Sequence, residues 1–275
     1  MQILVVGAGT MGAGIAELAA RQGLEVGLFD VQGTERAQEK IRASLQRSVE
    51  RGKLAAEAPV LARLTCYNDL GQAPPPEWVI EAVPEDLALK KELFARLSTL
   101  FPEALLASNT SALSLTEIAA SSARPGGVVG LHFFNPPVVM PLLEIVEAEQ
   151  TSPETLRQAR DLGLRLGKES IVVKDTAGFA TSRLGIVLGM EAIRMVESGV
   201  ASVADIDKAM ELGYRHPMGP LKLTDLVGLD VRLAIAEHLT RELGPQFQPP
   251  PLLRRLVRAG KLGKKTGQGF YSWDL

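Results

Sequence analysis

The sequence predicts an α/β doubly wound sheet followed by a smaller all-α domain, and three observations carry that expectation. The chain opens on a short β-branched run, a glycine-rich turn and an amphipathic helix; strand-like and helix-like segments then alternate; after "SIVVKD" the strand signals stop while helical periodicity continues. Alternation of this kind is how a sheet covered by helices reads in sequence. The boundary is expected near Gly178, with a first domain over 1–178 and a helical one over 179–275. A chain of 275 residues has the length for two cores, at roughly 100 to 200 residues per domain.

The opening stretch "QILVVGAGTMGAGIAELAARQG" reads as strand, turn and helix, with the helix closing at Gly23. Gly7 permits the tight turn, Gly9 lets the backbone approach a pyrophosphate, and Gly12 lets helix and strand pack closely. The helix start, with Thr10 and Met11, offers free amides to phosphate oxygens. The next strand, "EVGLFD", ends in Asp30, near the distance at which an acid meets the adenosine ribose hydroxyls of a dinucleotide. Together these features predict a Rossmann-type site. Asp30 would repel a 2′-phosphate and Val31 and Gln32 offer no cation to hold one, so the expected cofactor is NAD rather than NADP.

The pattern continues with "EWVIEAV" as a buried strand, "LALKKELFARLSTL" as a helix, and "ALLASNTS" and "GGVVGLHFF" as strands. Ligands bind at the carboxyl ends of such strands, and Glu85, Ser111 and His132 all follow strands there, on the side of the glycine turn. A polar helical segment from Thr34 to Leu54 carries Arg36, Lys40, Arg42, Arg47, Arg51 and Lys53. It is either a solvated face or a hold for a phosphorylated substrate. In the second half, "FATSRLGIVLGMEAIRMVESG" reads as a long helix ended near Gly199, and "SVADIDKAMELG" as one capped by Ser202 and stopped by Gly213. One further helix is expected in "LKLTDLVGLDVRLAIAEHLTREL" and one in "PPLLRRLVRAG". Helices of this kind close a cleft or pair two subunits.

Composition narrows the partners. A net charge of −2 gives no general attraction to nucleic acid or an anionic membrane. The lone cysteine, Cys66, excludes an internal disulfide and suits a reducing cytoplasm. No apolar run approaches the about 18 residues of a membrane span, and the first residues already form a strand, so no cleavable signal is expected. With three histidines and no close pairing, no metal site is expected.

The chemistry centres on "GLHFFNPPVVMPLLEIVE". An alcohol is oxidised by NAD only if its hydroxyl proton is removed as hydride leaves carbon, and an imidazole, with an ordinary pKa of about 6.5, suits that task. His132 is the candidate base. Glu144 is the candidate for holding its other ring nitrogen, provided that the Pro136-Pro137 bend folds "PLLEIVE" back beside the strand of His132. The plainer alternative is a satisfied strand-end histidine and an exposed glutamate. Ser111 has an alternative too, as a cap for a helix in "SALSLTEIA", although the Ser114 to Glu117 box can serve there while Ser111 meets a ligand.

The segments "GAGTMGAGIA", "EAVPED", "SNTSAL", "GLHFFNPPVVMPLLEIV", "KDTAGFATSRL", "DIDKAMELG", "HPMGPLKLTDLVGLD" and "KKTGQGFY" occur in an order and spacing that resembles the L-3-hydroxyacyl-CoA dehydrogenases over nearly the whole chain. The resemblance implies oxidation of (3S)-hydroxyacyl-CoA to 3-ketoacyl-CoA with NAD, in a homodimer joined through the helical domain. It implies His132 as general base, Glu144 as its partner, Ser111 as the hydroxyl meeting the substrate 3-oxygen, and Asn135 near the nicotinamide. Glu85, Lys90 and Lys265 fall on cofactor-binding positions, and Ser44 and Arg51 align with positions that touch CoA. Ser182 stands in "GFATSR" where the family often has asparagine. Serine is shorter and lacks the amide's donors, so its contact with substrate or with Ser111 would run through water. Two other readings stay open: a dehydrogenase of a free hydroxy acid such as L-gulonate, and a non-catalytic NAD-binding protein. The pathway, whether fatty-acid, butyrate or aromatic-acid degradation, is also left open.

Overall fold

The computed structural model describes residues 1–274, in two compact units divided between Asp175 and Thr176. The first unit holds one eight-stranded sheet in the order β3-β2-β1-β4-β5-β6-β7-β8. Its strands are β1 (Ile3–Val6), β2 (Val26–Phe29), β3 (Leu64–Tyr67), β4 (Trp78–Glu81), β5 (Leu105–Ser108), β6 (Val128–Phe133), β7 (Leu142–Glu147) and β8 (Glu169–Lys174). Every neighbouring pair is parallel except β6 and β7. β1, β2 and β4 are buried at every position, which is why they read as unbroken apolar runs: a parallel strand with helices on both faces has no solvent side.

The helices of this unit are α1 (Thr10–Arg21), α2 (Glu35–Glu50), α3 (Ala58–Leu61), α4 (Leu87–Leu100), α5 (Leu115–Ala120) and α6 (Pro153–Arg165). α2 is shorter than the polar segment suggested and ends at Glu50, because only Ala37, Ile41 and Leu45 supply a buried stripe. The core joins Ile3, Val5, Ile15, Leu18, Leu28, Ile80, Val129 and Ile145. Three helix starts are tied by side chains: Asp86 accepts from the Leu89 amide (2.9 Å), Ser114 from Glu117 (3.3 Å) and Ser152 from Thr155 (3.1 Å). The cap of α5 is therefore Ser114, which leaves Ser111 outside the helix.

The second unit is helical: α7 (Thr181–Glu197), α8 (Val203–Gly213), α9 (Pro220–Val227), α10 (Leu229–Leu243) and α11 (Pro251–Arg258), around Ile186, Met190, Ile193, Leu221, Leu229 and Leu253. The single helix expected over "LKLTDLVGLDVRLAIAEHLTREL" is in fact two. Gly228 takes φ +105°, outside the helical region, and its amide closes α9 on the Thr224 carbonyl. A β-carbon there would be strained by that φ and would lie 3.0 Å from an Asp230 oxygen. No helix among the described residues is long and apolar enough to cross a membrane.

Candidate active site

β1 lies between β2 and β4, so the strand order reverses beside it and opens a crevice at the carboxyl ends. The glycine turn fills that position. Gly7 has φ +102°, and a β-carbon on it would lie 2.6 Å from the Ala82 carbonyl carbon and oxygen; the β-carbon of any other residue at Gly12 would collide with the Gly7 carbonyl oxygen. A β-carbon on Gly9 would meet nothing within 4 Å, and no side chain caps the start of α1. The first-turn amides at Thr10, Met11 and Gly12 therefore lie beside open space that a pyrophosphate can enter. Asp30, just past β2, accepts the Ala8 amide on one oxygen (2.7 Å) and the Gln32 amide on the other (2.8 Å). The acid is thus pinned against the turn. This cradle fits a dinucleotide.

The antiparallel pairing of β6 with β7 places His132 directly opposite Glu144. His132 Nδ1 lies 2.7 Å from Glu144 Oε2, with both residues buried. The Phe134 ring sits 4.7 Å from the imidazole, centroid to centroid. The bend between the strands carries a cis Asn135-Pro136 bond, with Asn135 exposed at its start. Lys168, just past α6, donates to the Pro137 (2.5 Å) and Met140 (2.6 Å) carbonyls and braces the bend, and burial pulls its ammonium pKa down. Pro137 in turn packs against α1, where a β-carbon on Gly14 would come within 2.7 Å of it. Asn109, just past β5, accepts the Phe133 amide at 3.0 Å. The strand bearing His132 is thereby tied to the loop bearing Ser111.

The turns after β4 and β5 are joined by Glu85. Its Oε1 accepts from the Thr110 hydroxyl (2.6 Å), the Ser111 amide (2.8 Å) and the Ala112 amide (3.1 Å), and lies 3.4 Å from the Ser111 hydroxyl. Burial works to raise the Glu85 pKa, but the Lys90 charge and the Thr110 and Ser111 hydrogen bonds outweigh it and hold the carboxyl below its ordinary value. Lys90 is buried, 2.6 Å from Glu81 Oε1 and 3.3 Å from Glu85 Oε2. Glu81, Ser108 and Thr110 are buried members of this site that the sequence reading missed. The available sign was a carboxylate at the end of an otherwise apolar strand.

On α2 the Ser44 hydroxyl donates to Glu17 of α1 (2.8 Å), and Arg51 is exposed at the end of the helix. In the second unit Ser182 stands half-buried in the first turn of α7. Lys265 pairs with Asp230 at 2.6 Å. Among the described residues no group of three or more His, Cys, Asp or Glu could hold a metal ion.

Comparison with known proteins places the chain in a family. Residues 2–176 match the family domain "3-hydroxyacyl-CoA dehydrogenase, NAD binding domain", and residues 178–273 match "3-hydroxyacyl-CoA dehydrogenase, C-terminal domain". The 3-hydroxybutyryl-CoA dehydrogenase of Mycobacterium tuberculosis is 44% identical over 277 residues, covering 98% of this chain and 97% of that protein. A probable 3-hydroxybutyryl-CoA dehydrogenase of Bacillus subtilis is 43% identical over 279 residues, covering 99% and 97%. The crystal structure of (S)-3-hydroxybutyryl-CoA dehydrogenase from Ralstonia eutropha matches with a TM-score of 0.94 at 38% identity, over 100% of this chain and 99% of that one. With both domains matched in order and full-length relatives above 40% identity, the chain belongs to the 3-hydroxyacyl-CoA dehydrogenase family and is an NAD-binding oxidoreductase.

Proposed function

We propose that the chain oxidises (3S)-3-hydroxyacyl-CoA reversibly to 3-ketoacyl-CoA, with His132 as general base and Glu144 as the residue that holds it ready. The observation that carries this reading is the 2.7 Å contact between two buried groups paired across β6 and β7. Glu144 engages Nδ1, which assigns proton exchange to Nε2 and stabilises the imidazolium once formed. NAD, when bound, accepts the hydride that leaves the substrate carbon. In oxidation the hydroxyl proton passes to His132 Nε2; in reduction the imidazolium returns it to the 3-oxygen. Ser111, on the loop tied to β6 by Asn109, supplies a hydroxyl for that oxygen.

The remaining assignments belong to the same reading. Gly7, Gly9, Thr10, Met11 and Gly12 hold the pyrophosphate, Asp30 the adenosine ribose, and Asn135 the nicotinamide end, with Glu85, Lys90 and Lys265 at cofactor positions. Ser44 and Arg51 serve CoA, and Ser182 serves the substrate. Two chains pair through the helical unit, whose α7 exposes Leu184 and Val187 and whose α9 exposes Leu223, Leu226 and Val227. The lone cysteine suits a reducing cytoplasm.

The test is the oxidation of NADH by acetoacetyl-CoA, followed by absorbance. Turnover of the CoA ester, with none of free acetoacetate or a free hydroxy acid, supports the reading. Turnover of neither, in a protein that binds NADH, would overturn it.

A further inference from the structure

Glu81 has no part in the chemistry described above, yet it is a carboxylate with no exposure to solvent at all. It closes β4, the central strand beside the glycine turn. Such a group is tolerated only when several donors replace the water it has lost. Glu81 has three: Lys90 Nζ at 2.6 Å and the Val83 amide at 2.7 Å on Oε1, and the Ser108 hydroxyl at 2.7 Å on Oε2. Val83 lies in the turn after β4, and Ser108 ends β5. The Ser108 oxygen accepts the Thr110 amide at 3.2 Å, so Glu81 braces both turns that bear Glu85 and Ser111.

Lys90 carries the same bracing outward. Its ammonium has three N–H bonds and meets three acceptors: Glu81 Oε1 at 2.6 Å, Glu85 Oε2 at 3.3 Å and the Val83 carbonyl at 3.5 Å. Glu81 is the nearest and the more deeply buried of the two carboxylates. Glu85 spends its other oxygen on Thr110, Ser111 and Ala112. A continuous path therefore runs from Glu81 through Lys90 and Glu85 to the backbone of Ser111.

We propose that Glu81 is a positioning residue for the dehydrogenase: by anchoring Lys90 and Ser108 inside the protein it sets the pose of Glu85 and of the Ser111 turn. Lys90 is thereby held between the two carboxylates at its proposed cofactor position. The consequence for catalysis rests on the proposed reading of Ser111 and Glu85, while the anchoring itself rests on the contacts alone. Removing the Glu81 charge leaves Lys90 with Glu85 as its one carboxylate and draws that side chain from the Ser111 turn. Misplacement of a substrate-positioning group by about 1 Å can cost about 100-fold in turnover.

The experiment is a double-mutant cycle on the full chain with Glu81→Gln, Lys90→Met and the pair, measuring melting temperature, the Kd for NADH, and kcat and KM for acetoacetyl-CoA. Glu81→Gln is expected to lower kcat/KM roughly ten-fold and to weaken NADH by a similar factor in correctly folded protein. The double variant is expected to fall no more than about three-fold below Lys90→Met, the part of the Glu81 effect that runs through Ser108, whereas two independent losses of about ten-fold each would multiply to about 100-fold. Parent-like kinetics in Glu81→Gln, or multiplying losses in the pair, would overturn the inference. Should Glu81→Gln fail to fold, Ser108→Ala decides: it removes one bond to Glu81 and is expected to lower kcat/KM about three-fold with kcat falling more than KM rises, and parent-like values would contradict the proposal. A parent protein inert toward acetoacetyl-CoA would sink the functional reading instead, and the NADH arm of the cycle would still test the anchor.

Discussion

Asp30 spends one oxygen on the Ala8 amide and the other on Gln32, so its charge stands fixed at the glycine turn while each oxygen keeps a second lone pair for a ribose hydroxyl. A 2′-phosphate would meet that charge at close range, and neither Val31 nor Gln32 offers a cation to offset it. The expected outcome is a strong preference for NADH over NADPH in the parent and a narrower one in Asp30→Ala, read from the ratio of kcat/KM values; equal use of both by the parent would remove the role given to Asp30. Glu85 supports a prediction in pH. Its folded pKa is held below the 4.5 it has without these partners, so its stabilisation is present above about pH 4.5 and is lost as pH falls through the lower folded value. The melting-temperature difference between the parent and Glu85→Gln should be constant from pH 6 to 8 and shrink below about pH 4.5. A difference that grows on acidification would reverse the assignment.

At the scale of elements, the β6 to β7 hairpin is the part of the site most fully readable from sequence. The apolar run, the proline bend and the returning strand were visible, and twelve residues of separation put His132 and Glu144 opposite each other. The brace under the bend was not visible, because Lys168 comes from a different element and its two carbonyl partners are backbone atoms that no residue type announces. Lys168→Met should therefore lower stability by about 1–3 kcal/mol, the usual cost of leaving buried acceptors unpaired, seen as a lower urea midpoint with an unchanged slope. An unchanged midpoint would mean that the bend holds itself. The missed break between α9 and α10 has a similar origin. Apolar spacing runs on through Gly228, and only the positive φ of that residue separates the helices. Glu81 was missed because its partner Lys90 is nine residues away across a turn whose path a sequence does not display.

For the whole molecule, the chain divides into a sheet unit that matches the NAD binding domain and a helical unit that carries exposed apolar side chains. Leu184 is 70% exposed and Val187 48%, on the same helix as Ser182. On the proposed pairing, Leu184→Glu should convert dimers to monomers in sedimentation equilibrium while leaving NADH binding within about two-fold, since a charge set into an apolar contact opposes pairing. A parent that sediments as a monomer would contradict pairing through this face. The central claim is narrower than assembly: that a buried imidazole oriented by Glu144 exchanges the substrate proton. The most direct measurement is His132→Gln, with NADH affinity and turnover of acetoacetyl-CoA determined on the same preparation. The account predicts parent-like NADH binding and a fall in kcat of at least about 100-fold, the usual loss on removing a general acid-base group. A His132→Gln protein that binds NADH normally and turns over at the parent rate would contradict it.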